Sequence, residues 1–157
     1  MRQFRCENCG LALFFGNDRC GRCQARVGFI PPEGRLAAFR EEADGSYVRY
    51  APSERDWRRC ANYTSACLCN WMVANDDPND LCRSCRLTLT IPDQSFAENR
   101  SAWLELESAK RTWLYTILSL RLPSQSRLED PEHGLAFHFL KQLSPEQPVM
   151  TGHQSGE

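Results

Sequence analysis

Residues 60–85, CANYTSACLCNWMVANDDPNDLCRSC, decide how the rest of the chain is read. Together with residues 6–23, CENCGLALFFGNDRCGRC, they hold all nine cysteines of the 157 residues. Cys6/Cys9 and Cys20/Cys23 are two Cys-x-x-Cys pairs with ten residues between them, the spacing of a four-thiolate zinc site. Cys82/Cys85 is a third such pair. It needs two more thiolates, which Cys60 and Cys69 can supply, leaving Cys67 spare, since both Cys67 and Cys69 cannot complete one tetrahedral site. An all-cysteine site leaves no coordination position open for water, so both metals are expected to be structural.

The chain carries no apolar run near the ~20 residues of a membrane span, and its opening, MRQFRCENCG, lacks the apolar stretch of a secretory signal. A reducing, cytoplasmic setting is expected, where paired thiols are metal ligands more often than disulfides. The formal charge of −1 understates the acidity of the loaded protein. Each four-thiolate site with one divalent ion adds −2, so two of them bring it to about −5. Of the 19 basic residues 17 are arginine, and many flank the clusters, among them Arg5, Arg19, Arg22, Arg26, Arg58, Arg59, Arg83 and Arg86. A phosphate-binding surface is one use for them. Offsetting the anionic sites as outer-shell donors is the favoured one.

The fold class expected is a small α+β protein in five parts. Residues 1–26 form a zinc ribbon, with Gly10 supplying the positive φ that a thiolate knuckle needs. Residues 27–52 are linker and hairpin, with Pro31-Pro32-Glu33-Gly34 as a break and short strands at Leu36–Phe39 and Tyr47–Tyr50. Residues 53–91 make the second four-cysteine module, in which Asn75–Asp80 is a polar loop. That loop is not a calcium site, because it lacks the central Gly and terminal Glu of an EF-hand. Residues 92–123 hold a long helix, started by a Ser95/Glu98 capping box and stopped by Pro123. Its apolar positions are Ala102, Leu106, Ala109, Trp113, Ile117 and Leu120, widened by Trp103, Leu114 and Leu118, and Glu107–Arg111 forms an i,i+4 pair. The helix is expected to pack on the second module. Residues 124–157 contain a strand at Leu135–Leu140 and a loosely ordered tail.

A zinc peptidase site needs H-E-x-x-H, two histidines one helical turn apart with a glutamate to activate the metal-bound water. His133, His138 and His153 make no such pair, and no nucleophile triad or phosphate loop is present. No catalytic residue is assigned.

The order Cys6/Cys9, Cys20/Cys23, Arg59-Cys60, Cys69-Asn70-Trp71, Asp76-Asp77-Pro78, Leu81-Cys82, Thr90-Ile91-Pro92-Asp93 and Glu98-Asn99 resembles the bacterial zinc-ribbon, zinc-binding metallopeptidases. The likeness continues through Ala109-Lys110-Arg111, Leu122-Pro123, Glu129-Asp130-Pro131, Gly134–Phe137 and Thr151-Gly152-His153. In that family the cysteine before Asn-Trp is the matching one, which supports Cys69 over Cys67. The family runs on beyond Thr151-Gly152-His153 into an H-E-x-x-H helix that these residues do not contain. The resemblance therefore implies a non-catalytic zinc-binding part, with two structural Zn2+ ions, that supports a catalytic peptidase-like domain or another protein. A nucleic-acid-binding zinc ribbon is the alternative, and a hydrolase using unrecognised residues is a third reading.

Overall fold

A computed structural model describes residues 3–64, 69–146 and 148–150. Cys67 and His153 lie outside these. The chain divides into two compact units, Met1–Arg83 and Ser84–Glu157, the division falling inside the Cys82–Cys85 knuckle.

The first unit begins as a ribbon. Strands β1 (Phe4–Arg5) and β2 (Ala12–Leu13) pair antiparallel on either side of the first knuckle. The second knuckle leads into β3 (Arg26–Ile30), and β3 pairs antiparallel with β4 (Arg35–Glu41), which pairs with β5 (Tyr47–Arg49). The expected hairpin is thus the outer half of a three-stranded sheet, and Val27–Ile30 is strand rather than linker. The prolines do not end the sheet, because Pro31–Glu33 forms one 3₁₀ turn that Gly34 closes at φ 61°, returning the chain antiparallel. Leu36, Ala37, Ala38 and Phe39 are all buried, as a central strand covered on both faces requires. Strands β6 (Trp57–Arg59) and β7 (Met72–Ala74) form a second antiparallel pair.

Ile30, Ala37, Phe39, Trp57 and Met72 form one core cluster. A second group is aromatic, with Phe29 packed between Phe15 (ring centroids 5.1 Å apart) and Trp71 (4.8 Å). Gly28 lets Met72 of the first cluster lie against β3, since a Cβ there would overlap the buried Met72 sulfur. No other residue fits without moving that side chain.

The second unit is organised by helix α1 (Ala97–Ser119) and a parallel pair, β8 (Thr88–Thr90) with β9 (Phe137–His138). The expected capping box does not form. Phe96 occupies the N-cap position without a side-chain cap, and the Ser95 N–H is taken by Asp93 Oδ1 at 2.9 Å. The helix ends before Pro123, with Arg121 turning left-handed at φ 58°. Its buried stripe is also rotated from the expected one. Trp103 and Leu114 are buried, but so are Asn99, Glu107, Lys110 and Arg111, whereas Leu106, Trp113 and Leu120 are exposed. Lys110 Nζ sits 2.9 Å from Glu107 Oε1, both side chains 1% exposed, and Thr88 Oγ1 bonds to the same pair. An ion pair this deep depends on its protein neighbours, because water is not there to solvate either charge, and Arg111 Nη1 stands 4.0 Å from the other Glu107 oxygen. Trp113 packs edge-on against Phe137 at 5.6 Å.

Candidate metal centres

Two knuckles bring the first four cysteines together, and the two are built alike. In the first, the Gly10 N–H donates to Cys6 O (2.8 Å) and the Cys6 N–H to Leu11 O (2.8 Å). In the second, the Gln24 N–H donates to Cys20 O (3.0 Å) and the Cys20 N–H to Ala25 O (2.9 Å). Both turns need a left-handed residue after the second cysteine, met by Gly10 at φ 73° and by Gln24 at φ 61°. The Gln24 side chain compensates by donating to Gly21 O.

The four sulfurs of Cys6, Cys9, Cys20 and Cys23 lie within 4.8 Å of one another, and so do those of Cys60, Cys69, Cys82 and Cys85. Individual separations are 3.7 Å for Cys6–Cys23, 3.5 Å for Cys9–Cys20 and 3.6 Å for Cys69–Cys82. These are far beyond a disulfide at about 2 Å, and none of the eight cysteines is in a disulfide. They match the edge of a tetrahedron with metal–sulfur bonds of about 2.3 Å. The donor set therefore fits zinc at both places. The second group is fully buried, whereas Cys9 and Cys23 of the first are half-buried. Among the described residues no histidine or carboxylate joins either group.

The electrostatics of the first group also call for a cation. Burial pushes the Cys6 thiol up to about 12, against the backbone N–H groups of Cys9 and Asn8. Cys9 is also raised, burial and the neighbouring Cys20 and Cys23 thiols outweighing the Leu11 backbone N–H. Cys23 is drawn down to about 6, chiefly by the Ala25 N–H. Cys23 ionises readily while Cys6 and Cys9 resist, and a divalent ion beside them offsets that resistance. In the second group the Cys82 N–H donates to Cys60 Sγ at 3.2 Å.

The surrounding charges tie the knuckles to the sheet. Glu7, inside the first knuckle, has a side chain only 5% exposed and accepts from Arg49 (2.8 Å), Arg35 (2.8 Å) and the Ala38 N–H (3.1 Å). Arg49 also reaches Glu33 at 2.6 Å. Spacing along the chain gives no hint of Glu7, because its main partner is 42 residues away. Of the arginines singled out in the sequence, Arg58 gathers the Asn75–Asp80 loop by donating to the carbonyls of Ala74, Asp77 and Asn79 and to Asp80. Arg59 donates to Val27 O and lies over the rings of Tyr63 (4.1 Å) and Tyr47 (5.1 Å). Arg26 pairs with Glu41 at 2.7 Å, and Arg22 donates to Cys9 O. His133 and His138 are exposed and sit beside Asp130 and Thr90 respectively.

Comparison with known proteins divides the chain near the start of α1. A zinc-ribbon domain model matches residues 3–96, and a model described as "Putative zinc-binding metallo-peptidase" matches residues 99–157. The chain is 36% identical over 156 residues to an uncharacterized protein of Mycobacterium bovis, and equally to uncharacterized proteins from two strains of Mycobacterium tuberculosis. Each alignment covers 99% of this chain and 41% of the relative, so the chain spans well under half the length of these relatives. No solved structure gives a significant match. Among the described residues, no helix is long and apolar enough to cross a membrane.

Proposed function

Because the chain belongs to the zinc-ribbon family, over residues 3–96, we propose that it is the zinc-organised, non-catalytic module of a peptidase-like protein. Cys6, Cys9, Cys20 and Cys23 hold one structural Zn2+, and Cys60, Cys69, Cys82 and Cys85 hold the other. The carrying observation is the pair of four-sulfur groups at tetrahedral-edge distances. Four thiolates saturate zinc, so neither ion is left a position for an activated water or a substrate carbonyl. The bound zinc supplies cross-links in place of a large core. The match of residues 99–157 to a metallo-peptidase family makes a catalytic peptidase-like domain the natural partner. The reducing cytoplasm is the setting in which eight such thiols stay available to metal.

A nucleic-acid-binding ribbon is the weaker reading. Arg26, Arg49, Arg58 and Arg59 are engaged with carboxylates, carbonyls and tyrosine rings within the first unit, and loaded thiolate sites add negative charge beside them. Metal analysis and native mass spectrometry of the purified chain test the proposal. Two zinc ions per chain and no turnover of a peptide library are expected. Fewer than two ions, or peptide cleavage that survives repurification, would refute it.

A further inference from the structure

We infer that the two thiolate centres are thermodynamically coupled through Asn70, so that filling either one tightens zinc at the other. The inference rests on both clusters binding zinc, as proposed above.

Asn70 directly follows Cys69 and is 3% exposed. Its side-chain amide donates to Phe15 O and to Asn17 O (3.2 Å), the two ends of the turn that leads into Cys20. Its own carbonyl accepts the Phe29 N–H at 2.7 Å, from the strand that leaves Cys23. The next residue, Trp71, bridges to Phe29 and packs on Phe15 and Phe29. The residues after a ligand of the second centre thus hold both the approach to and the exit from the second knuckle of the first centre.

A second strut runs beside it. Arg59, which precedes Cys60, donates to Val27 O (3.0 Å) and approaches Asp18 O (3.5 Å). Tyr63, three residues after Cys60, donates to the Asp18 carboxylate at 3.0 Å. Asp18 is itself two residues from Cys20. None of these contacts requires a ligand to be shared, so the coupling passes through hydrogen bonds between the segments that carry the ligands.

The physical basis is conformational entropy. A metal-organised turn becomes ordered when its ion binds, and that ordering opposes binding. With one centre filled, Phe15–Asp18 and Cys69–Trp71 are already fixed against each other, so the second ion meets less of that opposition. Linkage requires the effect to be reciprocal, and couplings of this kind typically span about 5- to 150-fold in affinity. Asn70 is assigned the leading part because its amide grips two carbonyls of the other centre's turn from a buried position, where a lost hydrogen bond is not replaced by water.

The test is a zinc chelator titration of the full 157-residue chain, followed by native mass spectrometry. The wild-type protein should pass from two ions to none with the one-ion species well below its statistical abundance. In Cys9→Ser, zinc at the second centre should weaken by about 5- to 150-fold, and in Cys82→Ser zinc at the first centre should weaken by the same factor. Asn70→Ala should still take up two ions but release them separately, with the one-ion species accumulating. A wild-type chain that binds two ions and sheds them independently would overturn the coupling, as would Cys9→Ser and Cys82→Ser variants that keep wild-type affinity at the untouched centre. If those two variants show reciprocity while Asn70→Ala behaves as wild type, the assignment to Asn70 fails. A wild-type chain binding fewer than two ions would instead refute the zinc proposal itself. Should Asn70→Ala fail to fold, the two cysteine variants still decide whether the centres are coupled.

Discussion

The two units solve the same problem, ordering a short chain, by opposite means. The first unit is built from strands of two to seven residues, none long enough to persist alone. Its order is carried by contacts distant in sequence, namely the Cys6, Cys9, Cys20 and Cys23 group, the Phe15–Phe29–Trp71 cluster and the Glu7–Arg49 pair. The second unit carries a 23-residue helix, whose hydrogen bonds are local and cooperative, and its buried ion pair is local too, Glu107 and Lys110 lying three residues apart with Thr88 reaching them from β8. Where local structure cannot propagate, cross-links stand in for it. Where it can, a few polar contacts are enough to fix which face turns inward.

The sharpest way to break this contrast is to remove the metal. A strong chelator at neutral pH should abolish the near-ultraviolet circular dichroism of the buried Trp71 cluster, since structural zinc contributes on the order of 10 kcal/mol or more to folding. Far-ultraviolet signal from α1 should largely remain. Loss of both signals together would show that the helix also depends on zinc.

The second unit should be most sensitive at its ion pair. Lys110→Met takes the nearer cation from the buried Glu107 carboxylate, leaving Arg111 at 4.0 Å, and should destabilise the unit by up to about 3–5 kcal/mol in urea unfolding followed at 222 nm. The double variant Glu107→Gln/Lys110→Met should recover much of that loss. A double variant as unstable as the single one would mean that packing, rather than charge, is at fault.

Glu7→Gln tests the counterpart in the first unit. It should cost about 1.5–3 kcal/mol by thermal melting of the zinc-loaded chain, because Arg49 keeps Glu33 but loses its buried partner. Burial alone would raise the Glu7 carboxyl, but Arg49, the Ala38 N–H and Arg35 hold it below its ordinary value of 4.5. A carboxyl lowered on folding supports the fold fully above its ordinary value and loses that support as pH falls through the lowered one. Glu7→Gln should therefore flatten part of the acid limb of the stability curve, and an unchanged limb would remove Glu7 from the account.

The smallest effect separates the two look-alike knuckles. Gln24 occupies the left-handed position that Gly10 fills in the other, at a cost for a side chain of roughly 1–2 kcal/mol. Gln24→Gly relieves it but gains unfolded-chain entropy and loses the bond to Gly21 O. A net gain under about 1 kcal/mol is expected in the same melting experiment, whereas Gly10→Gln should destabilise.

The first cluster follows from the spacing of its two Cys-x-x-Cys pairs, whereas in the second the preference for Cys69 over Cys67 leaned on the family resemblance as well. The β4–β5 hairpin was legible from its Asp44-Gly45 turn. The strand at Arg26–Ile30 was not, since two prolines directly after it read as a break when they in fact start a turn. The helix's inner face was misjudged because Leu106, Trp113 and Leu120 repeat with helical spacing, as do Trp103, Glu107, Lys110 and Leu114. Apolar periodicity cannot choose between adjacent stripes when the buried one compensates its own charges. Glu7 and Asn70 act through partners dozens of residues away, and nothing in their local pattern announces that.

The missing side chain at Gly28 has a chemical corollary. Met72 rests its sulfur in that space, 2% exposed, whereas Met150 is 82% exposed. Peroxide must place an extra oxygen on the thioether, and beside Gly28 there is no room for one. Peptide mapping after mild oxidation should find sulfoxide at Met150 long before Met72, so a close joint between two strands doubles as a shield against oxidative damage.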